Sequence, residues 1–135
     1  MDLNALTQKL VEELTPLSWE ERITHLRNYA ELFPAFSTSL SYDDQAITHV
    51  IAEEDIPIRV FAIDTGRLFE QTLEVLQKNE ERYPNLQIET YYPNAEKTQN
   101  LIARQGINGF YDSIEKRKAC CFTRKVEPLA RALEE

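Results

Sequence analysis

The run Ile58-Arg59-Val60-Phe61-Ala62-Ile63 constrains the fold most. It is rich in β-branched and aromatic residues, follows Pro57, and is broken by Asp64-Thr65-Gly66, so it reads as a strand. Two weaker runs match it: Ala35 to Leu40, entering a hydroxyl-rich turn, and Leu86 to Tyr92, stopped by Pro93. Between and around them the apolar spacing is helical. Leu3, Leu6, Leu10, Val11 and Leu14 mark a first amphipathic helix closed by Pro16. Ser18 with Glu21 forms a capping box ahead of a helix whose face carries Trp19, Ile23, Leu26 and Tyr29. Asp43 or Asp44 starts a helix that buries Ile47, Val50 and Ile51. Further helices are expected over about 68–82 and 96–104, with short pieces flanking residues 120 and 121. Pro128 is expected in the first turn of a final helix. Strand–helix alternation implies an α/β fold, a parallel sheet with helices on both faces and right-handed crossovers. Ligands in such sheets bind beyond the carboxyl ends of the strands, here residues 37–41 and 64–67.

The 135 residues suit one domain over 1–135 with one core, and the 42% apolar content argues against disorder. With 23 acidic and 15 basic residues the formal net charge is −8, which disfavours nucleic acid as a partner. No apolar run approaches the ~18 residues of a membrane span, and the N-terminus lacks a secretory layout.

Cys120 and Cys121 are the only cysteines, and they stand side by side in a stretch holding Lys116, Arg117, Lys118, Arg124 and Lys125. Adjacent cysteines pair poorly with each other, whereas thiolates are soft ligands for iron–sulfur clusters and zinc. Neighbouring cations favour the thiolate. The pair therefore reads as half of a metal site, and no other residue of the chain supplies a thiolate. Zinc is the weaker reading, because no nearby His or Cys completes a tetrahedral set. Unpaired thiols point to a reducing cytoplasm.

Ser37-Thr38-Ser39 offers hydroxyl and backbone donors suited to phosphate or sulfate oxygens, although residue chemistry alone favours an ordinary polar turn with a helix cap. Gly66 would allow close approach of backbone to a ligand; Arg67 would stack on a base or pair with an anion; turn chemistry alone also accounts for both. His25 and His49 fit packing roles. The acidic runs at 12–13, 53–55 and 80–81 read as solvated faces, and Tyr91-Tyr92 as sheet packing.

Three blocks in order resemble the assimilatory adenylyl-sulfate (APS) and phosphoadenylyl-sulfate (PAPS) reductases. Ser37-Thr38-Ser39-Leu40-Ser41-Tyr42-Asp43-Asp44 is similar to the family's modified phosphate loop, with Ser41 and Tyr42 where Gly and Ala are usual. Asp64-Thr65-Gly66-Arg67-Leu68 resembles its D-T-G-x-L segment. Cys120-Cys121-Phe122-Thr123-Arg124-Lys125-Val126-Glu127-Pro128-Leu129 resembles C-C-x-x-R-K-V-x-P-L. The cysteine pair places the resemblance in the cluster-bearing APS reductase branch.

That resemblance implies an adenine-nucleotide α-hydrolase-like fold and reduction of adenylyl sulfate to sulfite and AMP with thioredoxin or a glutaredoxin-like donor. It implies that Ser37, Thr38 and Ser39 contact the phosphosulfate end, and that Ile63 and Gly66 line the adenosine pocket. Lys125 would lie between cluster and anion with Arg124 nearby, and Cys120 and Cys121 would hold two irons of a 4Fe–4S cluster. The blocks cover about the first half of a family member. The expectation is therefore an N-terminal, truncated part, with the nucleophilic cysteine and the other two cluster thiolates beyond Glu135 and the cluster absent or incomplete in this chain. An uncovered sheet edge would favour association of copies. The competing readings are a PAPS reductase, a non-catalytic adenine-nucleotide-binding module and a purely structural protein.

Overall fold

A computed structural model describes residues 1–134. Its sheet is three parallel strands, β1 (Ala35–Thr38), β2 (Arg59–Ile63) and β3 (Ile88–Tyr91), in the order β1-β2-β3. Register is Phe36 opposite Val60 and Val60 opposite Ile88. Helices α3 (Tyr42–Glu53) and α4 (Glu70–Arg82) make the two crossovers.

The period of two in β2 assigns its side chains. Val60 and Ala62 join Ile51, Ile56, Ile58 and Ile88 in the main core, with Leu76 and Ile23 packed against it. Phe61 points to the opposite face, fully buried, with Tyr91 edge-on at 5.7 Å. That face is covered from the C-terminal part: α7 (Glu127–Glu134) contacts β2 and β3, and Arg59 donates to the Ala132 carbonyl. The strand–helix expectation therefore holds, with helices on both faces.

The N-terminal segment is α1 (Leu3–Leu14), α2 (Trp19–His25) and a 3₁₀ stretch over Leu26–Leu32. The capping box is present: Glu21 N–H donates to Ser18 Oγ and Ser18 N–H to the Glu21 carboxylate. The single long helix expected through Tyr29 is not. Tyr29 leaves helical geometry (φ −119°, ψ 22°), and its hydroxyl donates to Glu13 at 2.6 Å. Trp19, expected on the packed face, is half exposed. Glu13, expected in a solvated run, also takes His25 Nε2 at 2.8 Å. Its carboxyl is held below the usual range, chiefly by the Tyr29 hydrogen bond, and Tyr29 is pushed up to about 12 by the same bond.

Three strand and helix ends are shorter than expected. β1 stops at Thr38 because Leu40 takes a left-handed turn (φ 65°). β3 begins at Ile88 because Leu86 N–H closes a turn onto the Tyr83 carbonyl. α4 begins at Glu70, since the 64–67 turn carries extended backbone on to Phe69.

The C-terminal part departs most from expectation. Helix α5 (Ala95–Gln105) is followed by α6 (Ile114–Cys121), which runs through a π turn (Phe122–Val126) directly into α7. Pro128 lacks an N–H, and its ring opposes the carbonyl four residues back, at Arg124. The π turn widens the helix there, and Glu127 N–H reaches back five residues to the Phe122 carbonyl. Pro128 thus lies in the first turn of the final helix, as expected, but α7 continues α6 through the π turn as one rod instead of starting separately.

Candidate functional site

Two clefts open beyond the carboxyl ends of β1 and β2. One, about 360 Å³, is lined by Ser37, Thr38, Ser39, Ile63 and Val126. The other, about 420 Å³, is lined by Phe69, Phe110, Arg117, Cys120, Cys121 and Arg124. Thr65, Leu68 and Lys125 line both. Residues from three blocks of sequence therefore meet at one place, with exposed Lys125 between the hydroxyls and the thiols.

The hydroxyl loop is less free than its sequence suggests. Thr38 is buried, and its Oγ1 accepts the Leu40 N–H at 3.0 Å. Ser39 is tied to Asp44: its N–H and its hydroxyl each donate to Oδ2 at 2.6 Å. Ser37 is exposed at the cleft. The left-handed residue of the loop is Leu40, while Ser41 is extended (φ −73°). Position 41 therefore requires no glycine.

The second loop is fixed from within. Asp64 Oδ1 accepts the Gly66 N–H at 2.8 Å, and Thr65 Oγ1 accepts the Arg67 N–H at 3.2 Å. Gly66 has φ +75°, and a Cβ there would stand 3.1 Å from Arg124 Nη1. Its glycine thus serves the turn and the approach of Arg124; Gly66 backs onto that guanidinium rather than lining either cleft. Arg67 is engaged with protein instead of offered to an anion. It lies 4.7 Å over the Phe110 ring and donates to the Ile107 carbonyl and Asn108 Oδ1.

Arg124 is a buried cation that sequence reasoning placed only near the site. It is 8% exposed; Nη1 donates to the Thr65 carbonyl at 2.7 Å, and Nε has no hydrogen-bond partner among the described residues. A buried, incompletely paired guanidinium is costly unless a ligand completes it. The π turn places Arg124 inward beside buried Thr123 and leaves Lys125 exposed.

Both cysteines are free; Cys121 is exposed and Cys120 partly so. Their chemistry fits thiolate ligation, and their number does not complete a site. Among the described residues no group of three or more His, Cys, Asp or Glu side chains converges. His25 and His49 are engaged elsewhere, with Glu13 and with the Tyr83 hydroxyl at 2.8 Å. Among the described residues no helix is long and apolar enough to cross a membrane.

Comparison with known proteins agrees with this architecture. The fold matches a crystal structure of phosphoadenylyl-sulfate (PAPS) reductase from Candida auris in complex with phosphate. The TM-score is 0.62 at 24% identity, over 87% of this chain and 63% of that one. The fold is thus of the adenine-nucleotide α-hydrolase type. The phosphoadenosine phosphosulfate reductase domain model matches residues 33–135, and the chain belongs to that family. Similar curated proteins are the adenosine 5′-phosphosulfate reductases of Allochromatium vinosum (46% identical over 98 residues) and Burkholderia cepacia (43% over 98). Each alignment takes in 73% of this chain; the chain spans 38% and 39% of those proteins' lengths.

Proposed function

We propose that residues 1–135 form the N-terminal nucleotide-binding part of a sulfonucleotide reductase that converts adenylyl sulfate to sulfite and AMP with a thioredoxin-type donor. The observation that carries this reading is Lys125, which borders both the hydroxyl-lined and the thiol-lined cleft. A nucleotide seated over Ile63 with its anionic end toward Lys125 brings that end to the thiol cleft. Lys125 supplies charge to the anion, and Arg124 supplies it to the thiolates or to the anion from beneath. Ser37 is the hydroxyl free to face the ligand; Gly66 shapes the pocket wall through the turn.

In this reading Cys120 and Cys121 hold two irons of a 4Fe–4S cluster, and thiolates from outside the described residues hold the others. No nucleophile for the sulfur is assigned among the described residues. The free thiols favour a reducing cytoplasm. The resemblance of the cysteine block to the cluster-bearing branch favours adenylyl over phosphoadenylyl sulfate.

Titration calorimetry with AMP and adenylyl sulfate tests the reading. It expects both to bind, and Lys125→Ala to weaken adenylyl sulfate about tenfold, the order of one charge-assisted contact. No heat with either nucleotide overturns it. Sulfite release from adenylyl sulfate by the 135-residue chain alone, with thioredoxin, contradicts the absence of a nucleophile.

A further inference from the structure

We propose that Asp44 is a resident anion held on Ser39 at the edge of the hydroxyl-lined cleft, and that a ligand's phosphate or sulfate oxygen takes Ser39 by displacing it. This rests on the nucleotide reading above and concerns what the site holds before a ligand arrives.

Ser39 presents the donors that an anion needs, and Asp44 Oδ2 already occupies both, at 2.6 Å from the N–H and 2.6 Å from Oγ. Bonds to an ionised acceptor are roughly twice as strong as neutral ones. A hydroxyl has one proton, so Ser39 has none left for a second acceptor while Asp44 is bound. Ser41 Oγ stands 3.0 Å from Ser39 Oγ and places no side-chain bond on the first turn of α3. That turn instead carries Asp43 and Asp44, whose charge offsets the positive end of the helix. The start of α3 is therefore already neutralised, and an incoming anion meets two carboxylates unless one turns away.

Across the shared wall the balance is reversed. Arg124, 8% exposed, has an Nε without a hydrogen-bond partner among the described residues, and it lines the adjoining cleft. One side thus holds a cation short of an acceptor, and the other an acceptor on the anion's donors. A ligand whose charge spans both sides satisfies Arg124 and Lys125 while releasing Asp44 to solvent by side-chain rotation. The cost of that release lowers affinity for small anions and favours ligands that engage the cations at the same time.

The test is calorimetry of inorganic sulfate and of AMP with the 135-residue chain, its Asp44→Asn variant and its Asp43→Asn variant. Asp44→Asn is expected to bind both at least threefold more tightly. Asp43→Asn removes the same charge without touching Ser39 and is expected to gain less than half as much. Equal or weaker binding by Asp44→Asn, or an equal gain by Asp43→Asn, overturns the proposal. In wild-type protein, saturating sulfate is expected to shift the Ser39 amide proton resonance; an unmoved resonance overturns the proposal even if the variant fails to fold. Wild-type protein that binds neither ligand removes the nucleotide reading as well. Binding without a gain in Asp44→Asn removes this inference alone.

Discussion

In α1 and α2 no side chain is buried, whereas Ile51, Val60 and Phe61 around the sheet are at most 1% exposed. Apart from Ile23 and Leu26, which pack against the core, the N-terminal segment is fastened by a few polar ties: Glu13 to Tyr29 and His25, and Arg22 Nε to the Leu14 and Leu17 carbonyls. The sheet region is fastened by apolar contact. The family match falls on the second region and begins at residue 33. An amphipathic helix of 12 residues is marginal alone, so α1 depends on those ties. The contrast predicts that extremes of pH loosen the ties of α1 before the sheet, and both clefts belong to the apolar region.

The largest expected break comes from Phe61→Ala. It removes a fully buried ring between β2 and Tyr91, and should cost about 3–5 kcal/mol in denaturant unfolding, with loss of both clefts. Next is Gly66→Ala, expected to cost about 1–3 kcal/mol through left-handed strain and contact with Arg124. Nucleotide affinity should fall with it, while exchange protection in α1 stays unchanged.

A smaller effect belongs to the N-terminal ties. Because Tyr29 titrates higher in the folded chain, its tie is intact below pH 10.0 and is lost as pH rises through about 12. Glu13 has the opposite sign. Its tie is intact above the ordinary glutamate value of 4.5 and is lost as pH falls through its lowered folded value. Amide exchange should show α1 loosening at both extremes before the sheet does. Tyr29→Phe should remove the alkaline arm of that response and lower α1 protection at neutral pH. Simultaneous loss of protection in α1 and β2 would erase the distinction. The smallest effect is Ser18→Ala, about 1 kcal/mol by thermal unfolding from loss of the capping box.

What was legible in the sequence was local. Ser18 and Glu21 announce their bonds because three residues on a helix start fix the geometry. β2 is visible because its apolar run exceeds anything a surface turn tolerates. The meeting of the hydroxyls, the loop of Thr65 and Leu68 and the thiols was legible through the family's blocks. Single-residue chemistry left the hydroxyl and glycine segments open between ligand and turn.

The remainder depends on contacts distant in sequence or on choices among equivalent partners. Nothing near Tyr29 announces Glu13 as its acceptor, so the 3₁₀ stretch read as a helix. The π turn follows from Pro128 needing room at Arg124 within a rod that the sheet holds in place. Ser39 looked like an open donor because the carboxylate that takes it, Asp44, was read as a helix start.

The central claim is that the thiol cleft and the hydroxyl cleft are one site joined at Lys125. The most direct measurement is the alkylation rate of Cys120 and Cys121, followed by intact mass, with and without saturating adenylyl sulfate. The account predicts that bound nucleotide slows alkylation in wild-type protein and that Lys125→Ala loses the protection at the same nucleotide concentration. Nucleotide that binds measurably yet leaves both thiols reacting at the free rate contradicts it.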